Sequence, residues 1–175
     1  MRFHITLAAL AASAAVASPA FAQAFPSDDE TATARGVVLQ QHSLINQTNL
    51  DFGIVTTDGV SAGTVTIGAS AAGARASTGG VTLLPSTSSS ARFDGLAAPL
   101  ETVVLTLTPP VGNVLQDAAG DQITVNSMSV DAAGLTRTAN ATGGFVVYVG
   151  GDFGLTATQP AGVYSADFHL TAEYQ

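Results

Sequence analysis

The sequence predicts an all-β chain folded as an antiparallel sandwich of about eight to nine strands, and three observations carry that prediction. The carboxyl end alternates strictly: Tyr164, Ala166, Phe168, Leu170, Ala172 and Tyr174 are apolar, and Ser165, Asp167, His169, Thr171 and Glu173 between them are polar. That is the period of two that a half-buried strand requires. Shorter alternations recur upstream, separated by Gly, Ser, Asp and Asn, and no helical period competes with them. The one long apolar run, Ile5 to Val16, sits at the amino terminus, where it reads as a leader rather than as fold.

Residues 1–22 carry the marks of a signal peptide. Arg2 supplies the positive end, the apolar run is too short to cross a bilayer, and Ala20-Phe21-Ala22 offers small residues where a signal peptidase reads them. Cleavage is expected after Ala22, leaving about 150 residues, enough for one domain with a sizeable core. No later segment has the length and apolarity of a membrane-spanning helix, so the product is expected to be exported to the periplasm, the cell surface or the medium. There is no cysteine to form a disulfide, so stability must come from packing. The formal net charge is −8 with no lysine, and losing Arg2 makes the mature chain more acidic still. Such a surface is repelled by phosphate backbones, which argues against nucleic acid as a partner.

The elements follow in order. Gln23 to Glu30 is a short polar lead ending in Asp28-Asp29-Glu30, and residues 31–175 form the single predicted domain. Ala32, Ala34, Gly36 and Val38 alternate with their neighbours and predict a strand over 31–39. Gln40 to Asn49 is mostly polar. Leu50, Phe52 and Ile54 then share one face of the next strand. Val65 with Ile67, Val81 with Leu83 after Gly79-Gly80, and Ala91 with Phe93 up to Asp94-Gly95 mark three more. Val103, Leu105 and Leu107 stop at Pro109-Pro110, because proline donates no ladder hydrogen bond. Ile123 and Val125 follow the turn at Gly120. Phe145, Val147 and Val149 predict a strand that stops at Gly150-Gly151, and the terminal strand opens after Gln159-Pro160-Ala161-Gly162. An immunoglobulin-like arrangement is the natural solution for such a series. The runs Ala69 to Thr78 and Ser86 to Ser90, rich in small residues, read as exposed loops, irregular edges or contact surface.

Catalytic signals are sparse. Without lysine, P-loop, kinase and Schiff-base chemistry lack the amine each needs, so Asp152-Phe153-Gly154 is no kinase motif. Gly59-Val60-Ser61-Ala62-Gly63 matches G-x-S-x-G, but a nucleophile elbow joins a strand to a helix and this turn leads into another strand. His42 and His169 fall in polar positions and read as solvated side chains. No histidine pair stands at metal spacing. No enzyme activity, cofactor or metal is expected.

Leu50-Asp51-Phe52-Gly53, Gly79-Gly80-Val81-Thr82-Leu83-Leu84, Val149-Gly150-Gly151-Asp152-Phe153-Gly154-Leu155 and Ala161-Gly162-Val163-Tyr164-Ser165-Ala166-Asp167-Phe168 together resemble a family of exported bacterial proteins known as a domain of unknown function. Its pattern is similar to the spore coat protein U domain and, more distantly, to chaperone–usher pilins. The resemblance covers about residues 31–175, and Leu50, Phe52, Gly53, Gly162, Tyr164, Phe168 and Leu170 carry its structural motif. It implies a pilin-like sandwich with a structural or adhesive, fimbrial role. The partners it implies are copies of the chain or related subunits, and a periplasmic chaperone. In such pilins an amino-terminal extension completes the neighbour's sandwich by strand addition, and the matching positions here are Ala32, Ala34, Gly36 and Val38. The alternative for residues 31–39 is a strand of the chain's own sandwich. The alternative for function is a monomeric binding module, for carbohydrate, on a closed sandwich.

Overall fold

The computed structural model describes residues 32–175. The expected leader, its cleavage site, the acidic lead and Thr31 lie outside the described residues. Twelve strands and one 3-10 turn (Val111–Asn113) make up the described chain. The strands are β1 (Ser43–Thr48), β2 (Val55–Thr57), β3 (Gly63–Ile67), β4 (Arg75–Gly79), β5 (Val81–Leu83) and β6 (Ala91–Leu96). Then come β7 (Thr102–Thr108), β8 (Val114–Gln116), β9 (Gln122–Val130), β10 (Thr136–Thr138), β11 (Gly144–Leu155) and β12 (His169–Tyr174). Every pairing between them is antiparallel, so the fold is all-β, with sheets that curl into a half-barrel. Among the described residues no helix is long and apolar enough to cross a membrane.

The longest strand organises the rest. β11 pairs with β6 through Gly144–Val149 and with β3 through Gly151–Leu155. Over Val149–Gly154 it also pairs with β9. Because β3 and β9 share the stretch from Gly151 to Gly154, they must lie on opposite edges of β11. β1 extends this seven-stranded sheet beyond β6, β4 beyond β3, and β8 beyond β9. A three-stranded sheet, β10-β7-β12, and a two-stranded one, β2-β5, complete the structure.

Two apolar clusters result. In the first, Phe93, Phe145, Val147 and Val149 of the large sheet pack with Val103, Leu105 and Ala172 of the three-stranded sheet. In the second, Val65, Ile123, Phe153 and Leu155 pack with Val81, and Phe52, Val55, Leu83 and Tyr164 lie half-buried against them.

Several expectations need correction. Residues 32–39 form no strand and are exposed throughout; their alternation reports which side would face apolar surface and not whether a neighbouring strand supplies a ladder. The first strand is instead β1, inside the polar stretch. It is an edge strand that turns only Leu44 inward and leaves Ile45 58% exposed, so its alternation is weak. Gly150-Gly151 does not end β11. A Cβ on Gly150 would overlap the main chain of Ile67 and Ala69, so glycine lets the neighbouring strand end approach closely where β11 changes partner. The terminal strand starts at His169, not Tyr164; upstream of it only Ser165 makes a bridge, to Gln116. Leu50 to Ile54 contains a single bridge, Asp51 to Ser89, before β2 begins. β8 and β10, each of three residues, carry too few residues to display a period. The inward face of β12 is as expected, with Leu170, Ala172 and Tyr174 packed on the first cluster and His169 exposed.

Candidate functional site: an apolar groove at the open seam

A groove of about 1180 Å³ runs over the second cluster. Its floor is the inner face of the large sheet: Val125 and Met128 from β9, Phe153 and Leu155 from β11, and Phe93 from β6. One wall is the segment Asn49–Thr57, tied to the linker before β6 by the Asp51–Ser89 bridge. The other wall is Gln159–Phe168, tied to β8 by the Gln116–Ser165 bridge. Since β6 and β8 belong to opposite sides of β11, the walls flank the floor. Aromatic rings line both, with Phe52 edge-on to Phe153 at 4.6 Å and Phe93 edge-on to Phe168 at 6.1 Å between centroids.

The first wall is held by one cation. Arg75 of β4 donates from Nη1 to the carbonyls of Phe52 (2.9 Å) and Ile54 (3.3 Å) and to Ser86 Oγ (3.2 Å), and from Nη2 to the Leu84 carbonyl (2.7 Å). Among the described residues no carboxylate contributes, so the guanidinium fork serves as a tie between main-chain segments. Asp51 Oδ1 accepts the Gly53 N–H at 2.8 Å, and Gly53 has φ +69 with its Cβ position filled by Arg75. Only glycine fits there. On the second wall the Tyr164 hydroxyl donates to the Pro160 carbonyl (2.7 Å) and accepts from Gln159 Nε2 (3.0 Å). A Cβ on Gly162 would fall 2.6 Å from Asp117 Oδ2.

The second wall has few ladder partners. Between Ala161 and Asp167, among the described residues, Ser165 alone bonds main chain to main chain. Apart from Ser165, the N–H and C=O groups of this stretch therefore have no main-chain partner among the described residues. That is the template an added strand needs.

The structure brings Leu50, Phe52, Gly53, Gly162, Tyr164 and Phe168 to this one groove, whereas Leu170 lies farther along β12 in the first cluster. Ala32, Ala34, Gly36 and Val38 lie in no strand and are exposed, Val38 at 97%. Sequence reasoning missed Arg75 and Met128. A lone arginine among small residues carried the only signal, an unpaired cation that needs acceptors.

The remaining candidates are dispersed. Ser61 sits in the turn from Asp58 into β3. His42 is not a freely solvated side chain: it packs edge-on against Tyr174 at 5.5 Å. Phe153 of the Asp-Phe-Gly triplet is core. Among the described residues no group of three or more His, Asp or Glu side chains converges as a metal site would require.

A family described as Domain of unknown function (DUF4402) matches residues 43–174, from the first residue of β1 to the last of β12. The chain belongs to that family. The match embraces all three sheets, the groove and both its walls, and leaves residues 32–39 outside it. No curated protein and no solved structure matches the chain.

Proposed function

We propose that this domain is a non-enzymatic, exported, pilin-like structural or adhesive subunit of the bacterial surface, and that it assembles by strand addition. In this reading the half-barrel is an immunoglobulin-like sandwich lacking one strand, and the groove is the vacancy. The observation that carries it is an apolar floor bearing Phe93 and Phe153 beside a wall, Ala161 to Asp167, in which Ser165 alone bonds main chain to main chain among the described residues. Burying such a floor and pairing such edges are both favourable, and one extended segment does both at once.

The occupant we assign is the segment 32–39 of a second copy. It is exposed and outside every sheet of its own chain, and eight extended residues reach roughly 26 Å. Ala32, Ala34, Gly36 and Val38 would face the floor, where small side chains suit rings already close together. Before assembly, a periplasmic chaperone would cover the same groove. The leader-like residues 1–22 support export as the route.

Light scattering on the mature chain tests this reading. Concentrated protein should form oligomers that persist on dilution, because separation breaks a whole ladder of hydrogen bonds. Deleting residues 23–39 should abolish them while leaving a domain that binds a peptide of residues 31–39. A strictly monomeric mature chain, with amides 32–39 protected from exchange, would overturn the proposal and favour a strand the chain supplies to itself.

A further inference from the structure

The two runs rich in small residues face each other across a second depression, on the outer side of the large sheet. Ala71, Ala72 and Gly73 from one run and Ser88 to Ser90 from the other enclose about 370 Å³, at the small end of the roughly 300–1,000 Å³ found for ligand pockets. The runs are stapled together. Ser90 Oγ donates to the Ser70 carbonyl at 2.6 Å, and Gly73, at φ +51, lets the loops approach until a Cβ there would lie 2.7 Å from Ser90 N. Two runs that bury little area are thereby held in one shape.

The floor is a row across three strands. Thr48 of β1 pairs with Arg92 of β6, which pairs with Tyr148 of β11, so their side chains stand side by side on one face. Arg92 donates from Nε to Asp94 Oδ1 (2.9 Å) and from Nη2 to Oδ2 (3.2 Å). Its charge is therefore balanced, and Nη1 is left with no partner among the described residues. The hydroxyls of Thr48, Ser88 and Tyr148 likewise have none. The pocket thus offers a planar ring, several hydroxyls and the two N–H donors of Arg92 Nη1, without net charge.

We propose that this pocket binds one neutral pyranose unit of a glycan. A sugar presents a C–H face to an aromatic ring and hydroxyls that both donate and accept, and Tyr148, Arg92 Nη1, Ser88 and Thr48 supply the complement. A phosphate or sulfate is disfavoured, since Asp94 already neutralises Arg92 and the chain is acidic. Arg92 and Phe93 are consecutive on β6, one on the outer face and one in the inner core, so the sugar site stands back to back with the groove. It operates whether or not the groove is filled.

Saturation-transfer NMR on the mature chain tests the site at any assembly size, with the methyl glycosides of glucose, galactose and mannose, N-acetylglucosamine and galacturonate as probes. At least one neutral sugar should receive saturation on its ring protons, with affinity on the order of 1 mM. Tyr148→Leu and Arg92→Met should each weaken it at least tenfold. Ala71→Trp, which fills the pocket from an exposed loop without touching the core, should abolish it, and Thr138→Ala on the three-stranded sheet should leave it unchanged. Transfer to none of the neutral sugars, transfer to galacturonate alone, or equal transfer in Ala71→Trp and wild type would each overturn the assignment.

Discussion

The two apolar clusters stand on the same strand, yet one is closed and the other open. Phe145, Val147 and Val149 of β11 serve the first; Phe153 and Leu155 serve the second. All five occupy odd positions and so face the same way. The difference lies in the cover. Over the first lies a laddered sheet, with Val103 and Leu105 of β7 and Ala172 of β12 fully engaged. Over the second lie only the short pair β2-β5 and a wall with one bridge. Where a ladder stops, apolar surface is left that a foreign strand can cover, and that contrast is what the assembly reading rests on.

The largest expected effect breaks the closed half. Leu105 is 1% exposed, so Leu105→Ala should cost about 3–5 kcal/mol in urea unfolding, transfer and cavity terms together. Phe168 sits at the border between the halves, half-buried and edge-on to Phe93. Its truncation to alanine should cost less than a fully buried ring does, about 2–3 kcal/mol. His169→Ala, on the solvent side of β12, should stay within about 0.5 kcal/mol of wild type. Equal midpoints for Phe168→Ala and His169→Ala would mean that the faces of β12 are reversed.

How far these regions could be read from the residues follows the same division. The inner face of β12 was legible because Leu170, Ala172 and Tyr174 alternate with polar neighbours over a fully laddered stretch. Tyr164 to Asp167 continues that alternation without forming a strand, since the period reports which side faces apolar surface and not whether a neighbour supplies hydrogen bonds. β1 hid for the opposite reason: it is laddered, but only Leu44 turns inward. Gly150-Gly151 looked like an end because glycine usually interrupts strands, while here it answers a close approach that only the fold creates. The groove's membership was half legible, through the motif residues from Leu50 to Phe168. Its shape was not, because Arg75 reaches it from β4 across a contact more than twenty residues away in sequence.

Arg75 offers a way to disturb the open half alone. Removing the fork leaves the Phe52, Ile54 and Leu84 carbonyls without its donors, so Arg75→Ala should cost about 1–3 kcal/mol. It should also weaken binding of the peptide of residues 31–39 to the strand-deleted domain roughly tenfold, since the wall loses its set position. Arg75→Lys should recover little of either, because a lysine is a point charge without the fork. A variant that lost stability and kept its full peptide affinity would show that the wall needs no tie.

The smallest effect separates the loops that frame the open half from the groove itself. Asp58 caps the turn between β2 and β3, its Oδ1 accepting the N–H groups of Ser61 and Val60, each at 2.8 Å. These bonds hold its carboxyl below the ordinary value of 3.8, the Ser61 bond most strongly. A depressed pKa means that the charged form stabilises the fold; the contribution is complete above the unfolded value and is lost as pH falls through the folded one. The window therefore lies at and below pH 3.8. Asp58→Asn keeps an acceptor oxygen but removes the charge. Its urea midpoint should trail wild type slightly at pH 6 and converge with it as the pH drops below that window, and peptide affinity at pH 6 should not change. A gap of constant size down to pH 2.5 would assign the effect to the shape of the cap and not to its charge.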